Sequence, residues 1–264
     1  MKKAFVGVCM LLVVVAISVS AGCTPGDDPG SGQPAVAQQD GEELKSLAAS
    51  LTKYYLGVMR PGPNWSASAP EEMQKIRKEN EDDLADLVVA GKLVGIVTLK
   101  EPKDFYGIVF FKVDTEEEVM AIADNAPSVK AGLITFKVHK VWGTRGMGKT
   151  IQKKLEEQSD YKGEQKPYFM VAYTKGEDWA AEPDAESRAL LADQTAYMMQ
   201  FVKSGVLRYY CAFDNVETEV RGVSIFSVDT KEEVEEIVSN GPEVKAGAIQ
   251  PHVFPVLIAK GVLP

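Results

Sequence analysis

The chain contains itself twice. Residues 113–132, VDTEEEVMAIADNAPSVKAG, and 228–247, VDTKEEVEEIVSNGPEVKAG, match at 13 of 20 positions without a gap, at an offset of 115. Earlier in each copy the offset is 114, which sets Trp65 on Trp179 and Gly91 on Gly205, so one residue was gained between Gly91 and Val113. A repeat of that length is a whole small domain, far outside solenoid or propeller periods. Whatever one copy folds into, the other must fold into as well.

Each copy opens on a short apolar run, Tyr54–Met59 or Tyr168–Tyr173, that reads as a strand. A polar loop with Trp65 or Trp179 follows, then a helix from near Pro70 or Pro183. Its apolar stripe is Met73, Ile76, Leu84, Leu87 and Val88 in the first copy, and Leu190, Leu191, Met198, Phe201 and Val202 in the second. Gly91 and Gly205 fall where a helix C-cap belongs. Two more strands are predicted in each copy, at 92–99 and 106–113, and at 206–213 and 222–228. Thr115/Glu118 and Thr230/Glu233 form capping boxes for a second helix, which Pro127 and Pro242 break. A last strand covers 134–142 or 249–258. The order β-α-β-β-α-β is the ferredoxin-like unit. Its strands are apolar on both faces, so one face packs the helices and the other needs a cover. The second copy is that cover, and the expected fold class is α+β: two ferredoxin-like modules forming an internal dimeric α+β barrel.

The ends and the charge bound the setting. Lys2 and Lys3, an uncharged apolar run over 4–19 and Ser20-Ala21-Gly22-Cys23 read as an export signal with a lipobox, Cys23 being the lipidated residue. The stretch after it is rich in Pro, Gly, Gln and acid and reads as a flexible tether. The expected division is signal peptide 1–22, tether 23–41, module one 42–147, linker 148–166 and module two 167–264. Without the two lysines the formal charge falls from −9 to −11, which argues against nucleic acid as a partner. Once Cys9 is removed and Cys23 lipidated, Cys211 is the one thiol left. It cannot form an internal disulfide and reads as a small buried hydrophobe. The 45% apolar residues must stabilise both modules unaided.

At this point the sequence resembles the YciI-like (YCII-related) family of dimeric α+β barrels. The resemblance rests on Leu87-x-x-x-Gly91-x-Leu93 and more loosely Phe201 to Leu207, on the D-T-x-E-E helix start, and on N-x-P-x-V-K-A-G before the last strand. It implies a histidine in the first helix, eleven residues before the glycine, paired with an aspartate after the second strand. The histidine positions hold Asn80 and Gln194, whose amides do not titrate near neutral pH. Acid–base catalysis by that pair is therefore not expected. Asp104 and Asp214 are the nearest stand-ins for the aspartate, though as turn residues they have an ordinary solvated reading.

Other candidates have competing readings. GTRGMGKT at 143–150 satisfies the P-loop pattern and follows a strand. The segment after it has only Ile151 and Leu155 as apolar positions, and the surrounding strands belong to the duplicated module, so it reads as linker. His139 and His252 lie in the last strands and point toward the barrel interior by parity. No second ligand is spaced to make either a haem or a metal site. Trp65 and Trp179 either wall a pocket or plug a sheet edge. The expected protein is a cell-envelope lipoprotein facing the periplasm or exterior, touching the membrane through the lipid on Cys23, with its pseudo-dimer contained in one chain and its oligomeric state left open. It binds a small molecule or a protein partner without catalysis, cofactor or metal. The ligand candidates are Asn80, Gln194, Trp65, Trp179, His139, His252, Asp104 and Asp214. The alternative is an enzyme using the barrel cleft, with Asp104 or Asp214 and a histidine carrying protons.

Overall fold

The computed structural model describes residues 49–65, 70–102, 104–161, 163–182 and 184–264. The expected signal peptide, tether and lipidated Cys23 lie outside the described residues. In chain order run β1 (Leu51–Pro61), α1 (Pro70–Val89), β2 (Leu93–Leu99), β3 (Gly107–Phe111), α2 (Glu116–Asn125), the one-turn α3 (Pro127–Lys130) and β4 (Ile134–Thr144). After α4 (Lys149–Glu157) come β5 (Gln165–Lys175), α5 (Ala185–Lys203), β6 (Leu207–Phe213), β7 (Val220–Phe226), α6 (Lys231–Ser239), the one-turn α7 (Pro242–Lys245) and β8 (Ile249–Ala259).

The eight strands close into one antiparallel barrel in the order β1-β3-β2-β8-β5-β7-β6-β4. Each half contributes four adjacent strands, β4-β1-β3-β2 and β8-β5-β7-β6, and the halves meet at β2·β8 and β4·β6. The fold is α+β, with a closed eight-stranded barrel and helices outside it.

The two-faced strands explain this closure. Leu56, Phe110 and Val141 point inward from the first half, and Met170, Ile225 and Ile258 from the second, all essentially inaccessible. Phe110 meets Tyr209 edge-on across the halves, with ring centroids 5.1 Å apart. The alternate residues face outward beneath the helices: Tyr55, Val109 and Phe111 in the first half, Val171 and Phe226 in the second. Each such side chain contributes ~1.5–3 kcal/mol by leaving water. An isolated half would leave its inward face wet.

Local sequence sets the helix starts. Thr115 Oγ1 accepts the Glu118 amide hydrogen and Thr230 Oγ1 that of Glu233, each at 3.2 Å. The returning carboxylates accept from the Asp114 and Asp229 amides. Both boxes satisfy amides that a helix start leaves without partners.

The segment 143–150 is a packed turn. Met147 enters the barrel core at 3% exposure. The Gly148 amide donates to the Val262 carbonyl at 2.7 Å, and Ile151 N–H donates to Gly261 O at 3.1 Å. Gly148 is left-handed (φ +80°), and a Cβ there would lie 2.5 Å from the Val94 carbonyl oxygen. Amides that would cradle a phosphate are thus engaged by the C-terminal residues. The stretch expected as a linker carries α4, whose Leu155 and Ile151 dock on the outer face of the first half.

Candidate functional site

The barrel interior is filled by side chains from both halves, so it offers no central cleft to the sequence-derived candidates. His139 lies on the inner face against Phe213, with centroids 5.2 Å apart. Burial, then Lys137 and Arg60, hold its pKa below the usual histidine value, which keeps the ring neutral. His252 Nε2 lies 2.9 Å from Thr174 Oγ1. Asp104 is exposed in the loop before β3. Asp214 lines an open depression with His139, but its carboxylate is already shared: Lys140 Nζ sits 3.0 Å away and Trp142 Nε1 donates to it at 2.9 Å. It ties β4 to β6 across the seam. No aspartate pairs with either histidine among the described residues.

The twin amides do the same work in each half. Asn80 Oδ1 accepts from the Ser128 amide and Gln194 Oε1 from the Glu243 amide, both at 3.2 Å. Ser128 and Glu243 each follow the proline that opens a one-turn helix, so α1 and α5 cap α3 and α7 from a distance. Trp65, 39% exposed, leans on Tyr106 with centroids 4.4 Å apart. Trp179 lies beneath the Arg221 guanidinium, 4.9 Å from its ring centre, and belongs to a cavity.

That cavity, about 460 Å³, is a slot between α5 and the outer face of the second half. Leu190, Leu191 and Met198 of α5 form one wall, and Leu207, Tyr210 and Ile249 of the sheet form the other. Trp142 and Leu51 close it from the first half. Pockets of this size with few polar groups suit small organic ligands. Gln194, Tyr173, Ser224 and Glu243 form its polar end.

Tyr173 is 7% exposed, and its hydroxyl completes no hydrogen bond. Burial keeps the phenol protonated far above its ordinary range, with the adjacent Ser224 hydroxyl offsetting part of the rise. Burial alone raises the Glu243 carboxyl to about 7. No cation pairs with it among the described residues. Arg221 is the one basic residue of the lining, and it is engaged by Trp179 and by the Asn215 carbonyl at 2.9 Å.

The first half shows what an occupied slot looks like. Val88, Leu93 and Val109, the counterparts of Val202, Leu207 and Ser224, pack against Leu155 and Ile151 of α4. The polar end has no counterpart either. Where the second half has Tyr173, Ser224 and Glu243, the first has Met59, Val109 and Ser128. Sequence reading passed over these residues because it weighed what the copies share. The signal lay in three register-matched positions where they differ.

Comparison with known proteins bears on the fold. No protein-family model matches the chain, and no curated protein matches it. Solved structures do. An arginine variant of chlorite dismutase from Candidatus Nitrospira defluvii superposes with a TM-score of 0.52, covering 80% of this chain and 92% of that one at 10% identity. A double variant of the same enzyme gives 0.52 over the same shares at 9%. A heme-binding protein from Thermus thermophilus gives 0.49, with 80% and 93% covered at 15%. The shared feature is the fold.

These matches overturn the YciI-like assignment. With it falls the function attached to it, a cell-envelope lipoprotein of two YciI-like modules binding a ligand or partner without catalysis. The physical reason lies in what carried the resemblance: capping boxes, glycine C-caps and a proline-broken turn. Any chain of this strand and helix order needs those devices, so they do not separate one family of such barrels from another.

Proposed function

We propose that the chain takes up a small, predominantly apolar molecule in the slot beneath α5, with Tyr173, Ser224 and Glu243 meeting its polar end. The observation that carries this is the contrast between the halves. One outer face is sealed by α4, and the other keeps a cavity of about 460 Å³ with a buried, unsatisfied phenol in it. A carboxyl with a pKa of about 7 can accept or release a proton near neutrality, so the polar end is equipped for proton transfer as well as recognition.

Haem, named in the description of the Thermus thermophilus protein, does not fit these residues. No histidine lines the slot, and both histidines of the chain lie on the barrel's inner face. Its acids are Asp178, Asp184, Glu186 and Glu243 against the single engaged Arg221, so propionate groups would meet like charge.

We also infer that the barrel is an internal dimeric α+β barrel of two ferredoxin-like modules, 42–147 and 167–264. The sequence repeat and the recurrence of one strand order in both halves support this.

Titration with the neutral dye Nile red tests the slot. Saturable fluorescence enhancement is expected for the full chain, and Leu191→Trp, which fills the slot from α5, should abolish it with the far-UV spectrum intact. Enhancement unchanged by that substitution would refute the reading. Haem added to the same protein should give no saturable Soret shift.

A further inference from the structure

We propose, on the reading that the slot is a ligand site, that its ligand is an apolar amine: a monocation whose ammonium rests against Glu243 while its hydrocarbon or ring body lies along α5. The charges decide the sign. Three of the four lining acids are outside the contest. Asp184 is spent as the N-cap of α5, accepting from Ser187 N at 2.8 Å and Ser187 Oγ at 2.9 Å. Asp178 lies against Gly247, where a Cβ would come within 2.5 Å of its Oδ2. Glu186 is exposed in the first turn of α5.

Glu243 is different. It sits half-buried at the polar end of the slot, with no cation paired to its carboxylate among the described residues. A carboxylate so placed is costly until a cation joins it. The Tyr173 hydroxyl beside it is buried and unsatisfied, and that is independent of any charge. An ammonium has three donors, and the polar end offers three oxygen acceptors, on Glu243, Tyr173 and Ser224. Two further groups near the polar end leave this sign unchanged. Tyr197 of α5 is neutral, its hydroxyl donating to Ile237 O at 2.8 Å, and Arg221 of β7 is held over Trp179. A carboxylate or phosphate head could accept from the Tyr173 and Ser224 hydroxyls, but beside Glu243 it would meet like charge, and Arg221, the one basic residue of the lining, is held over Trp179.

Three ligands of one chain length separate the head from the body: octylamine, 1-octanol and octanoate, titrated calorimetrically into the full chain at pH 8. Octylamine should bind at least tenfold more tightly than octanoate, as expected for one charge-assisted contact. Glu243→Gln should cost octylamine about tenfold and cost octanol less, with an unchanged far-UV spectrum reporting that the variant is folded. Tyr173→Phe should weaken octylamine more than octanol. Lowering the pH through about 7 should weaken octylamine, because the free carboxyl then carries a proton that the cation must displace. Octanoate binding as tightly as octylamine, or octylamine indifferent to Glu243→Gln, overturns the amine assignment. If octanol still binds in that case, the slot reading survives it. If none of the three binds, both fall.

Discussion

The same hydrogen bond is built with two different amides, and the difference is absorbed by one neighbouring atom. Asn80 serves α3 beside Ala126, and the longer Gln194 serves α7 beside Gly241. A Cβ on Gly241 would come within 2.7 Å of Gln194 Oε1. Its backbone (φ −62°, ψ 137°) is open to any residue, so the glycine is there for space alone. Gly241→Ala should therefore destabilise the protein by about 1–3 kcal/mol through overpacking. Adding Gln194→Asn, which recreates the first half's pair, should recover most of that loss. Urea unfolding of the two single variants and the double variant checks it, and simple additivity of the two singles would show that the residues do not share that space. The sequence shows both amides on an apolar helix stripe. Their role is hidden because the amide each one caps lies 48 or 49 residues away. Tyr173, Ser224 and Glu243 were hidden for another reason: a buried polar residue and an ordinary strand or turn residue look alike until the cover over them is known.

The strands and long helices follow from periodicity and capping, and their order was legible from two aligned copies. Helix α4 was not. Its sequence, KTIQKKLEE, has two apolar residues, Ile151 and Leu155, among nine, too few to build a sheet-covering helix by pattern. They suffice because the face they meet, with Val88, Leu93 and Val109, is already apolar and already formed. The helix needs only to seal it. Leu155, 8% exposed, is the plug. Leu155→Ala should cost about 2–4 kcal/mol, the range for a buried leucine whose cavity does not collapse. It should also give the first half a dye-binding slot of its own. Denaturation curves give the first quantity. A second Nile red site, persisting in the Leu155→Ala/Leu191→Trp double variant, gives the second. A loss below about 0.5 kcal/mol would mean that α4 lies loosely on the sheet.

The two halves are joined by little backbone and much side chain. Each seam has three paired residues, Val97 to Leu99 against Val256 to Ile258 and Val141 to Gly143 against Cys211 to Phe213. Within a half, β1 pairs β4 and β5 pairs β8 over eleven. Backbone pairing alone would therefore let the halves part. The interior argues the other way. It is one cluster drawn from both halves, with Phe110 of one against Tyr209 of the other, and the 143–148 turn and the C-terminal Val262 and Leu263 pack into it. Opening a seam exposes that whole surface to water, and the helix-covered outer cluster that each half keeps would have to hold it against that loss. The barrel should consequently unfold as one unit. Far-UV circular dichroism and tryptophan fluorescence should trace a single coincident thermal transition, although Trp65 reports on the first half, Trp179 on the second and Trp142 on the seam between them. Phe110→Ala, at a fully buried site, should cost about 3–5 kcal/mol and move that one transition down intact. If instead the curve splits, with the second-half signal left at its original temperature, the halves are independent domains and the slot's stability does not depend on the shared interior.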